Sequence, residues 1–387
     1  MNEFLERAYA LNDQLVKDRR HLHANPEVGL DLPNTKAYII KRLEEIELEY
    51  KEVGYGISAL IKGESGGTND KVALLRADMD ALPMTEINDL PYKSTNGCAH
   101  TCGHDLHASM LLSAAQIINE NKDKFSGTVK LMFQPDEESL AGARNMIENG
   151  ILEDPKVDFA FAMHTGLTDK VGSIGYYKGY MATSADIFNI SIKGKGGHGA
   201  YPHQCITPIY AANMIYNGFS EMLAQEINRS EHATITFGQI TSGTSFNIIP
   251  ETAFIQGTVR TYNPEVREYV KMRMGEMVEA TEKFTRTKID LEFVNGVASL
   301  YSDPENTTKM IDIISQIEPK IELQDFRFLA SEDMAEISRL VPTTYIMLNC
   351  KVDGNDFSHH NPGILFDEKA LPLGAGIFAN IAIKSLA

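Results

Sequence analysis

The chain has 387 residues, of which 43% are hydrophobic and 23% are charged, a composition typical of a globular protein with two or three domains. The formal net charge of -17 argues against nucleic acid as a partner. No apolar run is long enough to span a bilayer, so we expect no membrane partner. The charged N-terminal segment lacks a signal-peptide core and the 4 cysteines are scattered, which together favour a cytoplasmic protein with reduced thiols.

The first part of the chain alternates helical and strand patterns. Helical periodicity covers residues 5–23, 35–46 and 106–119. Buried strands are indicated by the apolar runs "KVALLRADMD", "GTVKLMFQPDEE" and "DFAFAMHTG", and by "TTYIMLNC" near the C-terminus. This alternation predicts an α/β domain built on a mixed sheet.

The middle of the chain follows a different order. A strand from Ala185 is followed by a helix from Ile206, the strands "HATITFGQITSG" and "ETAFIQGTVRTY", a helix from Pro264 and a strand from Lys288. The order β-α-β-β-α-β is that of a ferredoxin-like domain. We therefore predict an inserted domain between two parts of the α/β domain. The predicted boundaries are 1–183 for the first part of the α/β domain, 184–296 for the inserted domain and 297–387 for the second part.

Side chains that commonly bind metals follow four of the predicted strands. They are Asp78 and Asp80, Glu137 and Glu138, His164, and the pair His359 and His360. The segment "HTCGHDLH" adds Cys102 and His104 just before a predicted helix. Because sites in open α/β sheets lie beyond the carboxyl ends of strands, we expect these side chains to converge at one sheet edge. The sequence therefore predicts a metal site.

Each of these residues also has an ordinary structural explanation. Cys102 alone is typical of a small buried residue, Glu137 and Glu138 of solvated loop acids, and His164 of a core histidine. A zinc finger is excluded because no second cysteine pair lies at the required spacing. The convergence of five separate segments is what favours the metal site.

The predicted residues are sufficient in number and type for two divalent ions. Two nearby ions need about five or six protein ligands. Imidazole, thiolate and carboxylate together favour zinc, with manganese, cobalt or nickel as alternatives. A carboxylate that is not itself a ligand can act as general base toward a metal-activated water. In an extended segment Glu137 and Glu138 would point in opposite directions, so that one binds metal and the other addresses the water.

Three residues of the inserted domain are candidates for contact with substrate. In "KGKGGHGAYPH" His198 lies among glycines, where it can donate to an oxyanion; a flexible hairpin with a solvated histidine is the alternative. Asn247 precedes an apolar turn, and Arg260 ends a predicted strand. Arginine is the natural bidentate partner of a carboxylate, although an ordinary surface arginine is the commoner case.

These motifs resemble those of the di-metal amidohydrolases of peptidase clan MH, in the branch that contains aminoacylases, hippurate hydrolases and auxin-conjugate hydrolases. The resemblance covers nearly the whole chain. Its motifs are, in the family's order, "RRHLHANPEVG", "LLRADMDALP", "HTCGHDLHASMLL", "LMFQPDEE", "GKGGHGAYPH", "FNIIPETAFIQGTVRT" and "HHNPGILFDE".

The resemblance implies metal-dependent hydrolysis of the amide bond of an N-acyl amino acid or small peptide-like amide. The implied ligands of two metal ions are Cys102, His104, Glu138, His164 and His360, with His104 at the bridging position. The other implied roles are Glu137 as general base, His198 as oxyanion donor, Asp80 as a carboxylate that orients a ligand, and Asn247 and Arg260 as the partners of the substrate's free carboxylate. The inserted domain would be a lid and dimerisation domain that carries His198 to a partner subunit, so we expect a homodimer or higher homo-oligomer.

The chain departs from the family pattern at three places. "SLAGA" from Ser139 replaces a glycine run, "GGHGA" replaces "GGHAA", and Leu32 stands where glutamate is common. These changes leave the implied ligands intact and bear on the acyl-group preference.

Three other hypotheses remain open from the sequence. The same site could serve a dipeptidase or carboxypeptidase. The chain could be a catalytically silent relative that binds metal or peptide. Cys102 could instead be the nucleophile of a thiol enzyme, which would be inhibited by alkylation even with saturating metal.

Overall fold

The structure is a computed structural model that describes residues 2–318 and 320–387. The chain forms two compact units. Unit 1 comprises the residues up to Met181 together with Tyr301–Arg327 and Asp333–Ala387, and unit 2 comprises Ala182–Leu300 and Phe328–Glu332. The predicted boundaries at 184 and 296, and the roles given to the domains, stay predictions.

Strands and helices are numbered along the whole chain. The strands of unit 1 are β1 (Tyr50–Val53), β2 (Gly56–Lys62), β3 (Val72–Asp78), β4 (Thr128–Gln134), β5 (Phe159–Gly166), β6 (Ile174–Tyr176), β7 (Gly179–Tyr180), β14 (Tyr301–Ser302), β15 (Leu323–Asp325) and β16 (Thr343–Asn349). Its α-helices are α1 (Glu3–Ala10), α2 (Asn12–Ala24), α3 (Pro33–Glu45), α4 (His104–Asn119), α5 (Gly142–Glu148), α8 (Pro304–Ser315), α9 (Met334–Ser338) and α10 (Leu371–Leu386). Unit 2 contains β8 (Ala185–Lys193), β9 (Gly197–His198), α6 (Pro208–Gln225), β10 (Ala233–Ser242), β11 (Ile248–Ile249), β12 (Thr252–Thr261), α7 (Pro264–Thr285) and β13 (Lys288–Val297).

Unit 1 is organised around an eight-stranded mixed sheet with the order β1-β2-β4-β3-β5-β16-β6-β15. The neighbours β4, β3, β5 and β16 are parallel to one another. Every residue of β3 and β16 is buried, as expected for parallel strands that are covered on both faces. The carboxyl ends of these four strands therefore lie along one edge of the sheet.

The single helix predicted over residues 5–23 is wrong, because two helices occupy that segment. The chain leaves helical geometry at Leu11, where φ is -91° and ψ is 7°. Helix α1 packs mainly against α10, whereas α2 packs mainly against α4. The break therefore allows each helix to bury its own apolar face against a different neighbour.

Unit 2 has the predicted β-α-β-β-α-β order. Its antiparallel sheet has the order β10-β12-β8-β13, so that the first strand lies between the third and the fourth. Helices α6 and α7 bury their apolar residues against one face of this sheet. The predicted fold class, a mixed-sheet α/β domain with an inserted ferredoxin-like unit, is confirmed.

A short segment from later in the chain completes unit 2. The backbone N–H of Thr183 donates to the carbonyl of Ala330 at 3.1 Å, and its hydroxyl donates to the carbonyl of Leu329 at 2.7 Å. These long-range contacts explain why Phe328–Glu332 joins unit 2, which a reading of local patterns does not detect. In the described parts of the chain, no helix is both long and apolar enough to cross a membrane.

Candidate metal centre

Cys102 and His164 meet at the sheet edge. Cys102 precedes Gly103, whose φ of 91° allows the chain to turn sharply into α4. A side chain at Gly103 would also clash with Thr165, whose Oγ1 would lie 2.5 Å from an added Cβ. Sγ of Cys102 lies 3.4 Å from Nε2 of His164 on β5. Nδ1 of His164 lies 2.9 Å from the carbonyl of Thr165 and donates to it, so the Nε2 lone pair faces the sulfur.

Asp80 holds both a histidine and a glutamate at this edge. Nδ1 of His104 lies 3.0 Å from the carbonyl of Asp80 and 3.1 Å from its Oδ1, so this nitrogen is the donor. The other oxygen of Asp80 accepts the backbone N–H of Glu138 at 3.2 Å. Nε2 of His104 is thereby turned toward Glu137 and Glu138, each with a carboxylate oxygen 4.0 Å away.

His360 approaches the same carboxylate from the loop after β16. Its Nε2 lies 3.2 Å from Oε2 of Glu138. The backbone of His360 has a φ of 64°, an uncommon conformation for a residue with a side chain, and its N–H donates to the carbonyl of Thr101 at 3.1 Å. Strained backbone of this kind clusters at functional sites.

Two groups of three potential ligands share one residue. The first is Cys102, His104 and His164, and the second is Cys102, Glu138 and His360. Within each group the ligand atoms lie within 4.8 Å of one another. These two groups share Cys102, and His104 also forms a group with Glu137 and Glu138 and another with Asp78 and His107. The bridging position that the resemblance implies for His104 stays a prediction.

The chemistry of these side chains fits bound cations. Nε2 of His104 and Oε1 of Glu138 are buried and have no hydrogen-bond partner among the residues that the structure describes. Leaving such atoms unpaired is costly, and bound metal ions would give each of them a partner. Burial lowers the pKa of His164 well below its ordinary value, which keeps the ring neutral and its lone pair available. Burial raises the pKa of the Cys102 thiol, which disfavours a free thiolate nucleophile when no cation is bound.

The backbone around the two glutamates differs from the sequence expectation. Glu137 and Glu138 begin a turn and are not part of an extended segment, so the argument from alternating side chains is wrong. Asp136 and Leu140 both have positive φ, of 52° and 63°. The carbonyl of Asp136 accepts the N–H groups of residues 141 and 142, at 3.3 and 3.0 Å. The "SLAGA" departure thus forms a closed turn that directs both carboxylates toward His104.

The sequence reasoning missed a buried network behind the site. Asp78 accepts from Nδ1 of His107 at 2.5 Å and from Arg76 at 2.6 Å. Nε2 of His107 accepts the backbone N–H of Thr165 at 2.9 Å, next to His164. Burial opposes the charge of Asp78, but His104 and Arg76 together hold the pKa of this carboxyl well below its usual range. Asp78 was noted at the end of a strand, and the spacing of His104 and His107 near one helix turn was the available signal for its partner.

Two of the substrate-contact candidates are neighbours in unit 2. His198 on β9 pairs with Ile248 on β11, and the N–H of Gly199 donates to the carbonyl of Asn247 at 2.9 Å. Nδ1 of His198 accepts the N–H of Ala200 at 3.1 Å, so the neutral ring carries its proton on Nε2. His198 is therefore held as a hydrogen-bond donor.

Arg260 lies on β12 without an acidic partner among the described residues. Its NH1 atom is buried and makes no hydrogen bond to any of them. Burial lowers the pKa of the guanidinium. A half-buried guanidinium with one buried, unpaired nitrogen favours an anionic ligand.

The comparison with known protein families decides the classification. The model of peptidase family M20/M25/M40 matches residues 74–384. The chain belongs to this family. Two relatives of this M20 protein are thermostable carboxypeptidase 1 of Saccharolobus solfataricus, 34% identical over 381 residues, and N-acetyl-L-cysteine deacetylase of Bacillus subtilis, 35% identical over 364 residues. The alignments cover 97% and 93% of this chain and 96% and 85% of the relatives.

A solved structure extends the comparison to the fold. The dinuclear metal-binding peptidase of the M20 family from Bacillus subtilis is 30% identical and superposes with a TM-score of 0.84. The match covers 98% of this chain and 99% of the other. The predicted family and the predicted class, a metal-dependent amide hydrolase, are confirmed for this M20 protein.

Proposed function

We propose that this M20 protein hydrolyses the amide bond of N-acyl amino acids, with Glu137 as general base beside two zinc ions. The observation that carries the proposal is the pair of ligand groups that share Cys102, with the carboxylate of Glu137 within 4.0 Å of His104. His104 and His164 would complete one metal position, and Glu138 and His360 the other.

Cys102 is a better bridging ligand than His104 on chemical grounds. A thiolate sulfur has several lone pairs, whereas the Nε2 atom of an imidazole has one. The second nitrogen of His104 is already a donor to Asp80. The mixture of sulfur, nitrogen and oxygen ligands supports zinc, and manganese, cobalt or nickel are the alternatives.

The bound ions would polarise the substrate carbonyl and make water acidic enough to lose a proton near neutral pH. Glu137 would take that proton as the water attacks the carbonyl carbon. The same carboxylic acid would then protonate the leaving amine nitrogen. Only 7% of Glu137 is exposed, and the low solvent access supports a base whose proton is retained for this second step.

Unit 2 would supply the remaining contacts. The Nε2–H of His198 is suited to donate to the oxyanion that forms on the carbonyl oxygen. Arg260 and Asn247 would hold the free carboxylate of the substrate, since the guanidinium has no acidic partner among the described residues. The action of His198 on a second subunit, a homodimer or larger assembly, and a cytoplasmic location stay predictions.

A second candidate is a dipeptidase or carboxypeptidase that uses the same residues. It is favoured by the 34% identity to a thermostable carboxypeptidase over nearly the full chain. The two candidate activities differ only in the group that supplies the carbonyl of the amide bond, which is a simple acyl group in the first and an amino acid residue in the second.

A substrate panel separates these candidates. The zinc-loaded and manganese-loaded chain would be assayed with N-acetyl and N-benzoyl amino acids and with matched dipeptides. We expect higher kcat/KM for the N-acyl amino acids. A preference for dipeptides would establish the second candidate, and absence of turnover across the panel would contradict both.

A further inference from the structure

The motif "RRHLHANPEVG" has no role in the proposed mechanism, yet two of its residues are buried beside the segment that carries Cys102 and His104. Arg19 is 2% exposed and His23 is 5% exposed, and both belong to α2. Charged side chains are seldom buried to this degree unless they are paired.

Both residues bind the carboxylate that directly follows His104. Nε of Arg19 lies 2.9 Å from Oδ2 of Asp105, and Nδ1 of His23 lies 2.8 Å from the same oxygen. Asp105 is fully buried in the first turn of α4. A carboxylate there also complements the positive end of the helix.

His23 also binds the loop that precedes Cys102. Its Nε2 lies 3.2 Å from Oε1 of Glu86, whose other oxygen accepts the N–H of Ser94 at 3.0 Å. The two ring nitrogens of His23 thus face two carboxylates, and Nδ1 also lies 3.2 Å from NH2 of Arg19. One buried histidine therefore connects the chain before Cys102, through Glu86, with the chain after His104, through Asp105.

We propose that Arg19, His23, Glu86 and Asp105 form a clamp that positions Cys102 and His104 for metal binding. We call these four residues the α2 clamp, and Arg19 and His23 are positioning residues in it. The inference rests on the proposed metal site. Ligands that lie only two positions apart need a fixed backbone between them, and removal of outer hydrogen-bond partners typically weakens metal affinity about 10-fold to 100-fold.

The same helix offers a matched control. Asp18 is fully buried and accepts from Nε of Arg42 at 2.9 and 3.1 Å. This ion pair joins α2 to α3, and among the described residues neither side chain forms a hydrogen bond or ion pair with the segment that carries Cys102. Replacing Asp18 would leave the charge of Arg42 without this buried partner, so the free energy of unfolding should fall. The metal ligands should not be affected.

Zinc affinity of the chain after removal of metal tests the clamp. Competition with a fluorescent chelator would give the two zinc affinities of the unaltered chain and of Asp105→Asn, His23→Gln and the control Asp18→Asn. Thermal unfolding of the metal-free chains would be measured in parallel. We expect at least one zinc affinity to fall about 10-fold to 100-fold in the two clamp variants. The control should stay within about 3-fold of the unaltered chain at a comparable loss of thermal stability.

A conservative substitution provides a second measurement if Asp105→Asn does not fold. The amide of His23→Asn can replace Nδ1 as donor to Asp105 but cannot reach Glu86, so its zinc affinity should lie between those of the unaltered chain and His23→Gln. If the folded clamp variants bind zinc as tightly as the unaltered chain, the clamp is overturned and the metal site is not. The same holds if Asp18→Asn weakens zinc binding as much as the clamp variants do. An unaltered chain that binds no zinc would overturn both the proposed metal site and the clamp.

Discussion

Nε2 of His164 lies 3.4 Å from Sγ of Cys102, although 62 positions separate the two residues in the sequence. The parallel strands β3, β4, β5 and β16 bring this about, because they end along one edge of the sheet. Cys102 reaches that edge from the start of α4, and His164 from the end of β5.

Cys102→Ser should abolish tight binding of both zinc ions, because the two ligand groups share this residue. His164→Ala should leave one ion, held by the other group. Metal analysis after gel filtration would give the zinc content per chain. Cys98→Ser is the matched control, because Cys98 belongs to neither group, and it should retain two zinc ions. Two tightly bound ions in Cys102→Ser would contradict the shared position.

The location of this site was predictable, but its internal geometry was not. His164 at a strand end and Cys102 and His104 at a helix start indicated the site, because parallel strands place their carboxyl ends together. The turn at Glu137 depends on positive φ at Asp136 and Leu140, and the residue type of Leu140 does not indicate such a conformation.

The supporting contacts were beyond the reach of sequence patterns for a different reason. The N–H of Thr165 donates to His107, and Arg19 binds Asp105, across long separations in the chain. Periodicity reports which side chains are buried, but it does not report which buried polar groups pair. The break at Leu11 has the same origin, since it depends on the separate neighbours of α1 and α2.

Chelation should separate a metal enzyme from a thiol enzyme. Removal of metal should abolish amide hydrolysis, and added zinc or manganese should restore it. Iodoacetamide should leave the metal-loaded chain active, because Cys102 is buried and its sulfur would be bound to metal. Inactivation by alkylation at saturating metal, with no effect of chelation, would establish Cys102 as a nucleophile.

Arg260→Lys should raise KM about 10-fold to 100-fold for an N-acetyl amino acid, because a lysine cannot form the bidentate pair with the substrate carboxylate. The same change should have little effect on the carboxamide analogue, which has no charge for the guanidinium to bind. Steady-state kinetics with both compounds would measure the difference. Arg273→Lys, at an arginine that pairs with Glu226 in unit 2, is the control. Equal losses with both compounds would contradict the assignment.

Lys130 should give the stability of the chain a pH dependence that has no connection with the metal site. Its ammonium donates to the carbonyls of Ile151, Glu153 and Pro155 at 3.0, 2.6 and 2.7 Å, and burial lowers its pKa to about 8. Between pH 8 and the ordinary value of 10.5 the unfolded chain binds more protons than the folded chain. The contribution of Lys130 to the free energy of unfolding should therefore rise with pH, by at most about 1.4 kcal/mol per pH unit.

Urea unfolding at pH 7.5 and 9.5 would test this sign. The cost of Lys130→Met should be greater at the higher pH, whereas Lys62→Met, at an exposed lysine on β2, should have the same small effect at both. A cost of Lys130→Met that falls as the pH rises would contradict the prediction.

The most direct measurement is the turnover of metal-loaded Glu137→Gln on an N-acyl amino acid, with zinc content and thermal unfolding determined on the same sample. The amide has nearly the shape of the carboxylate but cannot take a proton, so we predict two bound zinc ions, an unchanged fold and a kcat lower by about 100-fold to 10,000-fold. Glu138→Gln, one position away, should instead lose zinc. Near-normal turnover in the fully loaded Glu137→Gln variant would contradict the assignment of Glu137 as the base.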